Sequence, residues 1–297
     1  MSDAAFIRVR ARVQRYESFL IDLSKNEPSS QRISNLLFRP RFGLPHDCSQ
    51  HLLEGIRLLV APVGCWRFLP AAYTFQEFLR QAPPRVLDVG SPKLLSLLLA
   101  SKNGTEVHAT DLNDEKIFSR WKRNADAIGL QNYHVEYQDG RRLSYPDSSF
   151  DLIYSISVIE HIPENGDVAA LTEFRRVLKP NGTLVIEVPY RRKYEEIFLP
   201  YDSKGAPLDK PQFYERHYDA DQLAQRLASI EGLQLDKRLI LGEWLPIDPW
   251  IATDRLPRPV RIGILPLEPL LAAVNYWARS DDQCGRPLAA LMIYRKA

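Results

Sequence analysis

Long apolar runs, cysteine and charge of one sign are all scarce in this sequence, and each scarcity removes a class of protein. No stretch reaches the roughly 20 uninterrupted apolar residues that a membrane-spanning helix needs. The two nearest, residues 52–75 and 262–277, are broken by Glu54, Arg57 and Arg67 and by Pro266, Glu268 and Pro269 respectively, so both read as buried or cavity-lining elements. Lys and Arg number 39 against 37 Asp and Glu, a formal net charge of +2. The basic residues are dispersed among acids, without the stripe or patch that a nucleic-acid surface needs, so no nucleic-acid partner is expected. Cysteine is limited to Cys48, Cys65 and Cys284. An odd count without metal-ligand spacing argues against a disulfide framework and a cysteine metal centre, and favours a reducing, cytoplasmic compartment. The first 15 residues are polar and arginine-rich with no apolar core, which argues against a secretory leader. Repeats and low-complexity tracts are missing. What remains is a 297-residue chain, 45% hydrophobic, read as one domain with additions.

The densest signal is at residues 85–94. Val86, Leu87 and Val89 form a short buried strand, Asp88 places an acid near its end, and Gly90 permits a tight turn. Ser91 then suits an N-cap and Pro92 a first helical position, with Leu94, Leu95, Leu97, Leu98 and Leu99 giving the helix a buried face. A strand, glycine turn and helix of this kind bind a nucleotide-like ligand. The complete Gly-x-Gly-x-x-Gly of a dinucleotide site is missing, however, and a carboxylate at Asp88 repels a pyrophosphate while it can hold a cationic amino acid group. That points away from NAD, and hence from a dehydrogenase, towards S-adenosylmethionine.

Two further strands repeat the arrangement. Residues 105–113 read as a strand ending at Asp111, about 20 residues after the first acid, where a carboxylate accepts from both ribose hydroxyls. Leu112 behind it is placed to pack on adenine, and a helix is expected over 114–128. A third strand, 134–137, runs into Asp139 and Gly140. Asp139 suits the exocyclic amine of adenine and the Gly140 amide a ring nitrogen, although an Asp-Gly pair is also an ordinary turn.

Residues 150–157 then read as a fourth buried strand, with Ser155 to Ser157 lining the site at its carboxyl end and Glu160-His161-Ile162 opening the next connection. A helix over 171–178, a stop and turn at Lys179-Pro180-Asn181-Gly182, and a fifth strand over 183–189 follow. In this order the motifs of residues 85–189, about a third of the chain, resemble the class I S-adenosylmethionine-dependent methyltransferases. Within them they are similar to the small-molecule enzymes with a Phe-Asp-Leu fourth strand and a Leu-Lys-Pro-Asn-Gly turn. The resemblance implies an α/β, Rossmann-like, seven-stranded, mostly parallel sheet with flanking helices and S-adenosylmethionine as cofactor. Carried over residue by residue, Asp88 and Gly90, with Ser91 beside them, face the methionine end. Asp111 takes the ribose, Asp139 and Gly140 the adenine, and Ser155 touches the cofactor through its backbone. Two further first-turn glycines of the family are Pro92 and Leu94 here.

The flanks divide the chain into a helical extension, 1–80, and a methyltransferase domain, 81–297. Apolar spacing predicts an amphipathic helix over 6–23, a loop over 26–47, and helices over 49–60 and 72–81. Trp66, Phe68, Tyr73 and Phe75 suit either a substrate wall or packing on the sheet. After the fifth strand, residues 190–218 are rich in aromatics and charges and are expected to cover the site. A helix over 219–230, a sixth strand over 233–241 and a seventh over 287–295 complete the pattern. Between the last two strands the 242–285 insertion is far longer than a hairpin needs; a lid, a homodimer contact and a docking surface all remain open.

The chemistry implied is transfer of the sulfonium methyl to a small or medium-sized acceptor, an in-line displacement in which the protein aligns the partners and excludes water. For a hydroxyl acceptor a proton must leave. His161 is the candidate general base, since an imidazole titrates near neutrality and this position follows the fourth strand; a structural histidine bonded to backbone is the alternative. Tyr190, Tyr214 and His217 are further substrate-side candidates, and no metal is expected. A degenerate cofactor-binding or partner subunit without its own catalysis is the competing functional class.

Overall fold

The computed structural model describes residues 13–14, 16–17, 68–91, 93–102, 104–112, 115–201, 206–244, 260, 276–280 and 285–297. The expected loop at 26–47, the helix at 49–60 and most of the helix at 6–23 lie outside the described residues.

Helix α1 (Phe68–Gln81) is followed by β1 (Arg85–Val89), α2 (Lys93–Ala100), β2 (Glu106–Asp111), α3 (Glu115–Ala127), β3 (Tyr133–Tyr137) and β4 (Phe150–Ile156). A single 3₁₀ turn (Ile159–His161) leads to α4 (Gly166–Val177), β5 (Leu178–Pro189), β6 (Glu195–Tyr201) and β7 (Pro207–His217). Helix α5 (Ala220–Gln222) continues into a wider π-type turn (Leu223–Ala228), before β8 (Leu233–Glu243), β9 (Tyr276–Arg279) and β10 (Arg286–Lys296).

The main sheet has the order β3-β2-β1-β4-β5-β10-β8-β9. Strands β1 to β5 run parallel, and β10 is antiparallel to both β5 and β8. This is the expected Rossmann-like α/β sheet, with eight strands instead of seven. The extra strand is β9, which pairs antiparallel with the end of β8 from Glu243↔Tyr276 to Ile240↔Arg279. It falls inside the segment read as insertion, and four residues are too few for periodicity to declare a strand.

Period-2 alternation sends the strand side chains into two cores. Val86, Val107, Ala109, Leu152, Tyr154 and Ile156 face α1 and α2, where Ala71, Ala72, Phe75, Phe78, Leu95 and Leu98 are buried. Leu87, Val89, Ile153, Leu184 and Ile186 face α4 and the π-type turn through Leu171, Phe174, Leu223 and Leu227. Phe75 is fully buried, so it packs on the sheet and does not wall a pocket, and Val13 and Tyr16 join the same core. Helix α1 is therefore a layer of the sheet domain although it lies within the expected extension. Among the described residues no helix is long and apolar enough to cross a membrane.

The two sequence motifs around β4 and β5 prove to be fasteners. Leu178 pairs with Phe150, and pairing resumes only at Thr183 with Leu152. The expected turn at 179–182 is thus a bulge within β5, with Asn181 at φ 61°. Lys179 Nζ reaches both carboxylate oxygens of Asp151 at 2.9 and 3.0 Å, and Asp151 Oδ2 accepts from the Arg85 amide at 3.0 Å. The starts of β1, β4 and β5 are thereby held in register. Helix α4 begins earlier than the 171–178 expected, because Asn165-Gly166 reads locally as a turn while the chain continues helical from Gly166.

Candidate active site

Strand order reverses between β1 and β4, so the crevice for a ligand opens at their carboxyl ends. Gly90 turns there with φ 67°, and its amide donates to Thr110 O at 2.8 Å. A Cβ at Gly90 would lie 2.7 and 2.9 Å from the two γ-methyls of Val158, so both the backbone angle and the close approach require glycine. Asp88 is fully buried, and its Oδ1 accepts from the Ser91 amide at 2.9 Å, closing the turn from beneath. Burial first, and then the Asp88 charge, push the Tyr154 hydroxyl well above its ordinary pKa. Ser91 Oγ accepts from the Ile156 amide at 2.7 Å and Ser155 Oγ donates to Val89 O at 3.1 Å. Ser91 and Ser155 together stitch the ends of β1 and β4.

Asp111 ends β2, half-buried, beside Leu112, which is 47% exposed. An exposed leucine next to a strand-end carboxylate is an apolar platform with an acceptor at its rim, which suits a nucleoside. At the end of β3, Asp139 is held by Arg141: the guanidinium Nε lies 3.0 and 3.1 Å from its two oxygens, the terminal nitrogen 2.7 Å away, and the Arg141 amide 2.9 Å away. The hydrogen bond from the Arg141 side chain is the largest influence holding Asp139 below its ordinary pKa. An adenine amine at Asp139 has to displace part of that fork, which costs little because exposed pairs are worth about 0–1 kcal/mol. Gly140 lies against the end of β1, where a Cβ would be 3.3 Å from Val89 Cγ1. The Gly90 turn, the Asp111–Leu112 rim and the Asp139–Gly140 corner thus stand at the carboxyl ends of the neighbouring parallel strands β1, β2 and β3.

Past β4 the chain leaves the sheet through Ser157 at φ 56°, a left-handed angle that a serine adopts only under constraint. Its amide donates to Glu187 O at 3.0 Å. Val158 covers Gly90, and the 3₁₀ turn brings Glu160 and His161 to the rim of the crevice. His161 Nδ1 donates to Tyr214 O at 2.7 Å, and its ring meets the Tyr214 ring edge-on with centroids 5.0 Å apart. Nε2 faces two carboxylates, Glu160 Oε1 at 3.8 Å and Glu215 Oε2 at 3.7 Å. Glu160 is fully buried and neither of its oxygens has a hydrogen-bond partner. Burial pushes its pKa up to about 7, against the pull first of the neighbouring His161 charge and then of its own amide and the Ser157 hydroxyl, which lie near but do not reach hydrogen-bond geometry. Glu215 differs: burial also raises it, but the His217 hydrogen bond and the charges of His217, His161 and Arg191 outweigh that and leave its pKa below the ordinary value. His217 Nε2 lies 2.8 Å from Glu215 Oε1.

The segment 190–218 is an antiparallel hairpin of β6 and β7, from Glu195↔His217 to Tyr201↔Pro207. It is anchored by Arg216, fully buried, which donates to Ile162 O at 2.8 Å and Glu164 O at 2.9 Å. The hairpin thereby brings Tyr214 and His217 to His161. Tyr190, the other substrate-side candidate, is buried in the core at the end of β5, away from any open surface. Glu160 and Glu215 were missed at the sequence level. For Glu160 a signal existed, a charged residue inside the apolar run Val158-Ile159-Glu160-His161-Ile162; for Glu215 there was none.

This fold and crevice define a nucleotide-type ligand site on a Rossmann-like α/β sheet. Residues 87–186 match the methyltransferase domain family, and that segment is a class I S-adenosylmethionine-dependent methyltransferase domain. The chain is 32% identical over 118 residues to a ubiquinone/menaquinone biosynthesis C-methyltransferase UbiE of Rickettsia akari, over 37% of this chain and 47% of that one. It is 27% identical over 107 residues to a 27-O-demethylrifamycin SV methyltransferase of Amycolatopsis mediterranei, over 36% and 39% of the two chains. The chain spans less than half the length of these curated relatives. The crystal structure of the [4+2]-cyclase SpnF superposes with a TM-score of 0.50 at 19% identity, covering 76% of this chain and 81% of that one, a likeness of fold.

Proposed function

We propose that this chain is a cytoplasmic S-adenosylmethionine-dependent methyltransferase that methylates a hydroxyl of a small or medium-sized acceptor. The observation that carries the reading is the succession of strand ends around the β1/β4 switch point: the Gly90 turn over Asp88, the Asp111–Leu112 rim and the Asp139–Gly140 corner, within the segment matched to the methyltransferase family. When bound, the cofactor supplies an electrophilic sulfonium methyl. The remaining work falls to the chain's own residues. Asp111 accepts from the ribose diol, Leu112 packs on the base, and the Gly90 turn gives the amino acid end room. The acceptor lies beyond Val158, where the hairpin excludes water and Tyr214 offers an exposed aromatic face. His161 Nε2, with its ring oriented by Tyr214 O and flanked by Glu160 and Glu215, stands where an acceptor proton has to go. Oxygen as the methylated atom rests on that base; a carbon or nitrogen acceptor is the alternative outcome.

Calorimetry with the product S-adenosylhomocysteine, followed by incubation of the protein with labelled cofactor and a metabolite extract, tests the reading. Binding plus label transfer into a small molecule is expected. Failure to bind the product overturns it, and binding without transfer to any acceptor favours the partner-subunit reading. Sedimentation with and without residues 245–275 distinguishes a homodimer contact in the insertion from a lid.

A further inference from the structure

Two groups of imidazole and carboxylate side chains among the described residues bring their ligand atoms within 4.8 Å of one another: Glu106, His108 and His134, and Glu160, His161 and Glu215. The first is closed by a cation of its own. Arg85 places a terminal guanidinium nitrogen 3.2 Å from His108 Nε2 and its Nε 3.0 Å from Glu106 Oε2, occupying the atoms a metal would need. Among the described residues no Lys or Arg side chain hydrogen-bonds to a member of the second group, although the Arg191 charge acts on Glu215.

We propose that Glu160, His161 and Glu215 hold a divalent transition-metal ion at the acceptor end of the crevice. A backbone carbonyl only accepts, so the 2.7 Å contact of His161 Nδ1 with Tyr214 O fixes the proton on Nδ1. That leaves the Nε2 lone pair for a ligand bond, the outer-shell arrangement by which proteins orient a metal-binding histidine. The facing carboxylate oxygens stand 3.8 and 3.7 Å from Nε2. Bonds of about 2.0–2.1 Å at tetrahedral angles place donor atoms about 3.3 Å apart, so each carboxylate oxygen closes on Nε2 by about half an ångström, and the two carboxylate oxygens, within 4.8 Å of each other, by no more than about 1.5 Å. Glu160 supplies the independent reason for an occupant, since both of its oxygens are buried without a hydrogen-bond partner. An unsatisfied buried carboxylate is costly, and an ion satisfies it. Glu215 is backed in turn by His217, whose Nε2 donates to its other oxygen at 2.8 Å. The site is reachable, with the His161 side chain 36% and that of Glu215 21% exposed.

One imidazole and two carboxylates suit Zn²⁺ or Mn²⁺ better than Mg²⁺ or Ca²⁺, which take oxygen donors. Three protein donors leave a position open for water or an acceptor oxygen. The inference deepens the proposed function in one respect: with the ion bound, His161 Nε2 is a ligand and not the base, and coordination acidifies the acceptor hydroxyl so that its proton leaves to solvent before the oxygen takes the methyl. That consequence rests on the methyltransferase reading; the binding of the ion does not.

The test titrates the chelator-treated full-length protein with Zn²⁺ by calorimetry and with Mn²⁺ by loss of its free electron-spin-resonance signal, both without cofactor. One ion per chain is expected, with affinity at least tenfold lower in Glu160→Gln, in Glu215→Gln and in His161→Ala. The Mn²⁺ arm separates the site from thiol binding by the three cysteines, and Glu215→Gln, on a partly exposed side chain, guards against a variant that fails to fold. Each variant is accepted only if its S-adenosylhomocysteine affinity and circular dichroism match wild type, or its circular dichroism alone if the wild type binds no product. Unchanged ion affinity in all three variants, or no binding of either ion, overturns the proposal. Ion binding without product binding removes the methyltransferase reading and leaves the ion site. Methyl transfer that persists in excess chelator, with no ion at the cluster, does the reverse.

Discussion

Replacing Asp167 by alanine should cost the protein about 3–5 kcal/mol, because it strands a buried cation. Asp167 lies in the first turn of α4, fully buried. Its oxygens accept from the Tyr218 hydroxyl at 2.7 Å, from Arg226 Nε and terminal nitrogen at 2.8 and 2.7 Å, and from the Val168 amide at 2.9 Å. Arg216, also fully buried, stands 3.5 Å away and has no other carboxylate closer than Glu196 at 3.8 Å. Four charge-assisted bonds at about 1.5–3 kcal/mol each would sum higher. Arg226 is partly exposed and can turn to water, however, whereas Arg216 cannot, so the uncompensated Arg216 sets the scale. At roughly 2–4 °C per kcal/mol for a domain of this size, the midpoint should fall by about 6–20 °C. The pH dependence is an independent check. Burial pushes the Asp167 pKa up, but hydrogen bonds from Arg226 and Tyr218 and the charges of Arg216 and Arg226 outweigh it, leaving it below the ordinary value. A depressed carboxylate pKa stabilises the fold above the unfolded-state value, about 3.9, and that contribution disappears as pH falls through the folded-state value. Thermal melts of wild type and Asp167→Ala should therefore differ most near neutrality and converge below about pH 4. A loss under about 1 kcal/mol at pH 7, or a gap that does not narrow in acid, would refute the reasoning.

Other outcomes follow from the crevice. Gly90→Ala combines a left-handed backbone cost of about 1–2 kcal/mol with overpacking against Val158 of about 1–3 kcal/mol; a double-mutant cycle with Val158→Ala should recover the second part and not the first. Asp111→Ala should weaken S-adenosylhomocysteine by at least about tenfold in a protein that melts normally, as charge-assisted bonds to the ribose are lost, and unchanged affinity removes the ribose assignment. Replacing residues 245–275 by a short turn between Trp244 and Tyr276 keeps the β8–β9 pairing. It should leave product affinity within a fewfold while abolishing or broadening methyl transfer; unchanged acceptor efficiency would exclude that segment from the substrate site.

The parallel half of the fold was legible because its signals are local. A strand ending in an acid recurs at Asp88, Asp111 and Asp139, followed closely by a glycine at Gly90 and Gly140, and each such group needs no distant partner to be recognised. Strands β6 and β7 left no comparable trace. Their side chains are mostly exposed, so no apolar alternation marks them, and residues 190–218 read only as an aromatic and charged connection. Tyr190 reads in the sequence as a substrate-side candidate because an aromatic outside a periodic run carries no sign of burial, whereas the structure places it in the core. The Asp139–Arg141 fork, two residues apart, was within reach of a local reading, whereas Glu160 and Glu215 meet only through the hairpin, and no spacing rule joins them.

That hairpin is where stability and chemistry share one strand. In β7 successive side chains point to opposite faces, so Arg216 turns inward to Asp167 and the carbonyls of Ile162 and Glu164, while Glu215 and His217 turn towards the His161 rim. The Tyr214 carbonyl that orients His161 sits two positions before the anchor. Glu160, His161 and the hairpin carboxylate are therefore aligned by one buried ion pair on the far side of the same backbone. On the proposed reading, a crevice built this way carries its cofactor on the parallel strands and its acceptor against a clamp fixed at one point, so residues 190–218 can diverge without disturbing the Gly90 turn.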